Sequence, residues 1–151
     1  MNDKSLSKVR AEVIEKSINI EWIINAIISQ HYFKKVLLPF VTEVLYDEYC
    51  SFALKRRILE KIFPNIDGRQ IQKLNRLNTI RNYFAHCGQE IFDGPVVPKN
   101  EQKGWVPDPR KPTKPINFES LHAEFIELEN SVSKYLFGIF QELGGVAVKG
   151  E

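Results

Sequence analysis

Six of the eight prolines lie between Pro95 and Pro115, and that crowding constrains everything else in the chain. Proline has no backbone N–H and its ring clashes with the preceding helical turn, so residues 89–116, QEIFDGPVVPKNEQKGWVPDPRKPTKPI, cannot be helical. The remaining stretches are left almost free of helix breakers. Residues 5–33 contain neither Pro nor Gly, and Leu6, Val9, Val13, Ile20, Ile23, Ile24, Ile27 and Ile28 recur near helical spacing. The second half of this first helix, INIEWIINAII, is far more apolar than the first and belongs in the core, with the opening turns partly exposed.

Pro39 interrupts the chain, and Val41 to Tyr49 reads as a short helix or an irregular connector. Ser51 is a suitable N-cap for SFALKRRILEKIF, which stops before Pro64. There Phe52, Leu54, Ile58, Leu59 and Ile62 are expected to pack inward while Lys55, Arg56, Arg57 and Lys61 point away. Residues 67–88, DGRQIQKLNRLNTIRNYFAHCG, carry Ile71, Leu74, Leu77, Ile80 and Phe84 at three- and four-residue steps, with Gly88 as the stop. Asn117 caps the last helix, whose apolar face runs from Leu121 through Phe125, Val132 and Leu136 to Phe140, with His122 on its surface. That helix ends at Gly144 and Gly145, and the tail VAVKGE is expected to fray. These elements predict an all-α bundle of four or five helices in a single domain, 1–151, with one long Pro-rich loop before the last helix.

That loop exceeds most compact connections, which favours a functional flap, an Ω-like loop or a small hairpin over a plain linker. Its Lys99, Lys103, Arg110, Lys111 and Lys114, with Trp105 among them, fit a surface that grips single-stranded nucleic acid. The plainer account, and the one preferred from sequence, is a set of solvated lysines around a tryptophan tucked against the domain.

Charge separates along the chain although its net value is only +2. From Gly68 to Gln89 there is no acidic residue, whereas Glu119, Glu124, Glu127, Glu129 and Glu142 face only Lys134 in the last helix. Arg69, Lys73 and Arg76, extended by Lys55, Arg56 and Arg57, therefore make a candidate phosphate-tracking surface, with a solvated helix face as the plainer explanation. Two cysteines, Cys50 and Cys87, are too few for a disulfide framework. No stretch approaches the ~18 apolar residues of a membrane span, and MNDKSLSKVR has no apolar leader core. A reduced, cytoplasmic protein is the expectation.

The candidate chemistry sits at the end of the basic helix. With about 100° per residue, Asn82 and His86 share a face one turn apart, and Arg81 lies roughly 140° from His86, within reach of a long side chain. In the last helical turn the dipole favours an imidazolium. A forked cation, an amide and a titratable base suit a phosphodiester, because guanidinium binds phosphate oxygens bidentately and imidazole exchanges protons with a ribose hydroxyl near neutral pH. Cys87 is not read as a nucleophile or metal ligand: neighbours on a helix point about 100° apart, and no matching His/Cys pair stands elsewhere. Glu21 and Asn25, one turn apart in the apolar half of the first helix, either form a solvated edge or face Arg81 and His86 and orient them.

LNTIRNYFAHCG resembles the signature of the HEPN superfamily (higher eukaryotes and prokaryotes nucleotide-binding): Arg, a polar residue after it, then His after four to six positions. Arg81, Asn82 and His86 match in order, and the apolar lead-in with Ala85 before the histidine is most similar to the mannitol-repressor-like branch and related uncharacterised bacterial families. The resemblance covers about a dozen residues closely and the helix order loosely. It implies a homodimer that joins two motifs in one cleft, needs no metal or cofactor, and acts as an endoribonuclease of toxin or defence type, with an antitoxin or regulatory protein as partner. Catalysis would rest on His86 as base or acid, on Arg81 as the stabiliser of phosphorane charge, and on Asn82 to orient His86 or hold a phosphate oxygen. The same resemblance also covers non-catalytic regulatory or adaptor modules that bind nucleic acid, nucleotide or protein. Direct DNA reading lacks a helix-turn-helix signature. One departure stands out: a toxin subgroup has tyrosine two residues after the histidine, where this chain has Gly88.

Overall fold

The computed structural model describes residues 5–86, 105–108 and 111–145. Five helices and one strand pair follow in order: α1 (Leu6–Phe33), α2 (Leu38–Phe40) running into a π-helical turn (Val41–Leu45), α3 (Phe52–Ile62), α4 (Gly68–His86), β1 (Trp105–Asp108), β2 (Lys111–Asn117) and α5 (Phe118–Glu142). The chain is thus mostly helical, and no described helix is long and apolar enough to cross a membrane.

Where it is described, the Pro-rich segment takes the paired-strand form among the expected alternatives. Its strands pair antiparallel, Trp105 opposite Asn117 and Val106 opposite Ile116, with a register shift between Pro107 and Asp108. Pro107 stands opposite Pro115, which a two-stranded sheet tolerates because each strand is an edge with one side that needs no N–H. Cys87, Gly88, Lys99, Lys103, Arg110 and the tail after Gly145 lie outside the described residues.

Local chemistry explains the helix ends. The Ser51 hydroxyl accepts from the Leu54 N–H at 3.2 Å and the Asn117 side chain accepts from the Ser120 N–H at 3.0 Å, so both expected N-caps form. Asp67 caps α4 by accepting from the Arg69 N–H at 2.9 Å. Pro39 sits in the first turn of α2, where its missing N–H is no loss. At the other end of α5, Gly144 takes φ +84° while the Gly144 N–H donates to the Gln141 carbonyl and the Gly145 N–H to the Phe140 carbonyl, each at 2.9 Å. This pair of bonds is a Schellman motif. A side chain at Gly145 would come within 2.4 Å of the Phe140 ring. We expect Ser51→Ala and Asn117→Ala each to lower the unfolding free energy by about 1 kcal/mol, read as a shifted urea midpoint with unchanged slope.

Two compact units share the chain, Met1–Ser17 with Leu74–Glu129 and Ile18–Lys73 with Asn130–Glu151; α1, α4 and α5 each contribute a part to both. In the first unit Val9 and Val13 of α1, Leu77, Ile80 and Phe84 of α4, and Leu121 and Phe125 of α5 are buried. Phe84 and Phe125 are each 0% exposed, worth about 2–3 kcal/mol of transfer free energy apiece. In the second unit Ile24, Ile27 and Ile28 of α1 pack in a core with Leu45, Leu59, Ile71, Val132 and Leu136. Most of the apolar half of α1 is therefore interior, as its composition implies, although Ile18 and Trp22 stand exposed. The π-helical turn resolves the Val41–Tyr49 ambiguity by burying Val41 and Leu45.

Three side chains depart from the periodic expectation. Lys55, expected to point outward, is 1% exposed. Leu54, expected inward, is 42% exposed. His122, expected on the surface, has a side chain only 12% exposed and stands 3.0 Å from the Glu12 carboxylate.

Candidate functional site

The end of α4 is built within the first unit. Phe84, Ile80 and Leu77 pin its apolar stripe, which turns Arg81 and His86 outward: both are exposed, with Asn82 half-buried between them. Arg81 donates from Nη1 to Asn82 Oδ1 at 3.1 Å, so two of the three motif residues are brought together. The contact orients the guanidinium from its own helix. His86 closes α4 and has no hydrogen-bond partner among the described residues. Neither Arg81 nor His86 is paired with a carboxylate there.

Arg10 of α1 was not singled out by sequence reasoning. Its Nη2 donates at 3.2 Å to the Ala85 carbonyl, 75 residues away. That carbonyl is one of the last four of α4, which have no partner inside the helix, and a cation there complements the helix dipole. The segment that carries His86 is thus tied to α1. No local pattern could have revealed this bond, since it joins a polar opening turn to a distant backbone oxygen.

Electrostatics reorder the basic residues. Arg76 makes a two-pronged contact with Glu124 of α5, Nε to Oε1 at 2.6 Å and Nη2 to Oε2 at 3.0 Å. Hydrogen bonding to Glu124 raises its guanidinium above the ordinary value against a smaller opposing effect of burial, with the nearby Tyr83 phenol adding to the rise. The acid missing from α4 is supplied by the acidic last helix, so Arg76 is charged but largely neutralised. Glu12 and His122 join α1 to α5 in the same unit, and Lys16 reaches Glu129 at 3.7 Å. A carboxylate-oriented imidazole is a familiar catalytic pairing, but at 12% exposure His122 is too enclosed for a substrate as bulky as a polynucleotide, and its role is to hold the two helices.

The other expected cations belong to the second unit. Lys55 donates to Glu21 Oε1 at 2.5 Å, and its ammonium lies 5.0 Å from the centre of the Tyr46 ring. This corrects its assignment to a phosphate-tracking surface: a lysine sealed by a carboxylate and a ring has no free charge to offer. Glu21 is therefore engaged by Lys55, and Asn25, 0% exposed, has neither amide atom hydrogen-bonded. Asn25 is no solvated edge. It lies beside the Tyr46 phenol, short of good hydrogen-bond geometry; burial raises that phenol above its ordinary value, Asn25 pulls it down and Glu21 pushes it up further. Lys73 donates to Ser131 Oγ at 2.9 Å, and Arg56 lies 3.9 Å from Glu60. Arg57 is exposed, and Arg69, its side chain 87% exposed, reaches Asp67 at 3.5 Å.

Among the described residues no cluster of three or more His, Cys, Asp or Glu is arranged to hold a metal ion. No family model, no curated protein and no solved structure matches this chain.

Proposed function

We propose that the protein is an HEPN-type endoribonuclease that cleaves single-stranded RNA without a metal, with Arg81, Asn82 and His86 as its working residues. The observation that carries this reading is the state of the α4 end: a guanidinium and an imidazole five residues apart, both exposed and neither held by a carboxylate among the described residues. Lys55, Arg76 and Lys73 of the same helices are engaged by Glu21, Glu124 and Ser131, so the open charge at the motif is shared with only a few exposed cations such as Arg57 and Arg69.

The chemistry balances with these groups alone. One imidazole takes the proton of the 2′-hydroxyl as that oxygen bonds to phosphorus; the bond from phosphorus to the 5′-oxygen breaks, and a second imidazole protonates the leaving oxygen. The product is a 2′,3′-cyclic phosphate. A homodimer supplies the second His86 across one cleft, and Arg81 neutralises the added charge on the phosphorane, a contribution of about 3 kcal/mol. Asn82, holding Arg81, keeps the fork aimed. Toxin or defence action in the cytoplasm, under the restraint of an antitoxin or regulatory protein, is the setting this activity fits.

The test is incubation of the pure protein with end-labelled single-stranded RNA in a chelator. Cyclic-phosphate ends lost in His86→Ala support the proposal, and intact RNA after incubation with folded wild type overturns it. Salt-sensitive binding with no product would assign the non-catalytic module instead. In the binding assay, Glu124→Gln is expected to release Arg76 and steepen the salt dependence of RNA affinity by about 0.7 in slope, the increment for one more contact on a single strand.

A further inference from the structure

Every large apolar side chain that stands exposed among the described residues belongs to the second unit. Several of them surround one groove of about 450 Å³. Ile28 and Leu45, both buried, lie at its base, while Tyr32 of α1, Val44 of the π-helical turn, Tyr49 of the connector and Leu54 of α3 line it at 59%, 49%, 84% and 42% exposure. Water-exposed apolar surface gathered in one place marks an interaction site. The wall at Val44 is a π-helical turn, a conformation that is rare and recurs at functional positions.

We infer that this groove docks a cationic amphipathic helix of another protein. Charge selects the occupant: the charged residues of the lining are Glu43 and Asp47, both exposed, and Asp47 is fixed by accepting the Tyr49 N–H at 2.9 Å. Two carboxylates beside an apolar trough repel RNA and acidic peptides and attract a helix with lysine or arginine flanking its apolar stripe. Shape selects a helix over a small molecule. Tyr32 and Tyr49 are more than half exposed, so covering them takes a broad partner, and a helix laid along the groove does so with apolar anchors at i, i+3, i+4 and i+7. The site lies outside the Arg81 and His86 motif and stands whether or not the chain cleaves RNA.

Fluorescence anisotropy of the full chain with a labelled leucine and lysine helix of that spacing tests the assignment. The peptide is expected to bind, to lose about tenfold or more in affinity with Leu54→Asp or Val44→Asp, and to exchange preference for a leucine and glutamate helix when Glu43→Lys and Asp47→Lys are combined. These four positions are exposed, so the helical circular dichroism should be retained. Equal binding of the acidic peptide by wild type, no binding of the basic one, or indifference to Leu54→Asp would overturn the inference. Self-association of the wild type that Leu54→Asp abolishes would overturn it in favour of a second copy.

Discussion

Replacing His86 with alanine is expected to slow RNA cleavage by about 100- to 10,000-fold, the usual contribution of a positioned acid-base group, with no change in melting temperature. The two halves of that statement have separate physical origins. His86 is exposed at the last position of α4 and bonded to no described residue, so its removal takes away no packing and leaves no buried group unsatisfied; such surface changes stay within about 0.5 kcal/mol. Arg81→Ala should cost about 3 kcal/mol of transition-state stabilisation, roughly 100-fold or more. Arg81→Lys should recover little of it, because an ammonium cannot reproduce the planar fork. Asn82 acts through Arg81 by their 3.1 Å contact, so Arg81→Ala and Asn82→Ala should be strongly non-additive. Equal cleavage by wild type and His86→Ala, followed on labelled RNA under single-turnover conditions, would end the nuclease proposal.

Glu21→Ala is expected to destabilise the second unit by about 3 kcal/mol, a loss that Lys55→Met should largely erase. Removing one partner of a buried ion pair strands the other charge, and the low end of the usual range applies because the Glu21 side chain is 33% exposed while that of Lys55 is 1% exposed. Methionine fills the volume of the lysine stem without a charge to desolvate, so Lys55→Met alone should fall within about 1 kcal/mol of wild type. In its background, Glu21→Ala should cost less than about 1 kcal/mol, since the carboxylate then has no cation to serve. Urea titration of the four proteins measures this cycle, and each kcal/mol corresponds to about 2–4 °C in a chain of this length. If Glu21→Ala proved as harmless as a surface change, the pair would contribute nothing to the fold.

Much of the local architecture is legible in the sequence. Proline crowding, an uninterrupted apolar period and capping residues are signals a few residues long, and they placed α1, α4 and α5, the caps Ser51 and Asn117, and the Gly144 and Gly145 stop. The open end of α4 was legible for the same reason: a stripe of Leu77, Ile80 and Phe84 that faces inward leaves Arg81 and His86 facing out. Periodicity failed at Lys55 because a helical wheel assigns a cation to solvent by default. It cannot foresee that Glu21 waits on another helix to compensate it.

Backbone propensity, period and capping act between neighbours, so the order of residues alone was enough to set the long helices, the caps at Ser51 and Asn117, the stop at Gly144 and the outward aim of Arg81 and His86. Which carboxylate neutralises Arg76, which backbone oxygen Arg10 ties down, and how the buried Asn25 and Lys55 come to lie beside Tyr46 are matters of contact between segments distant in the chain. Those contacts exist only after the elements pack, because burial removes the water that would otherwise solvate each charge separately and makes the choice of partner energetically decisive.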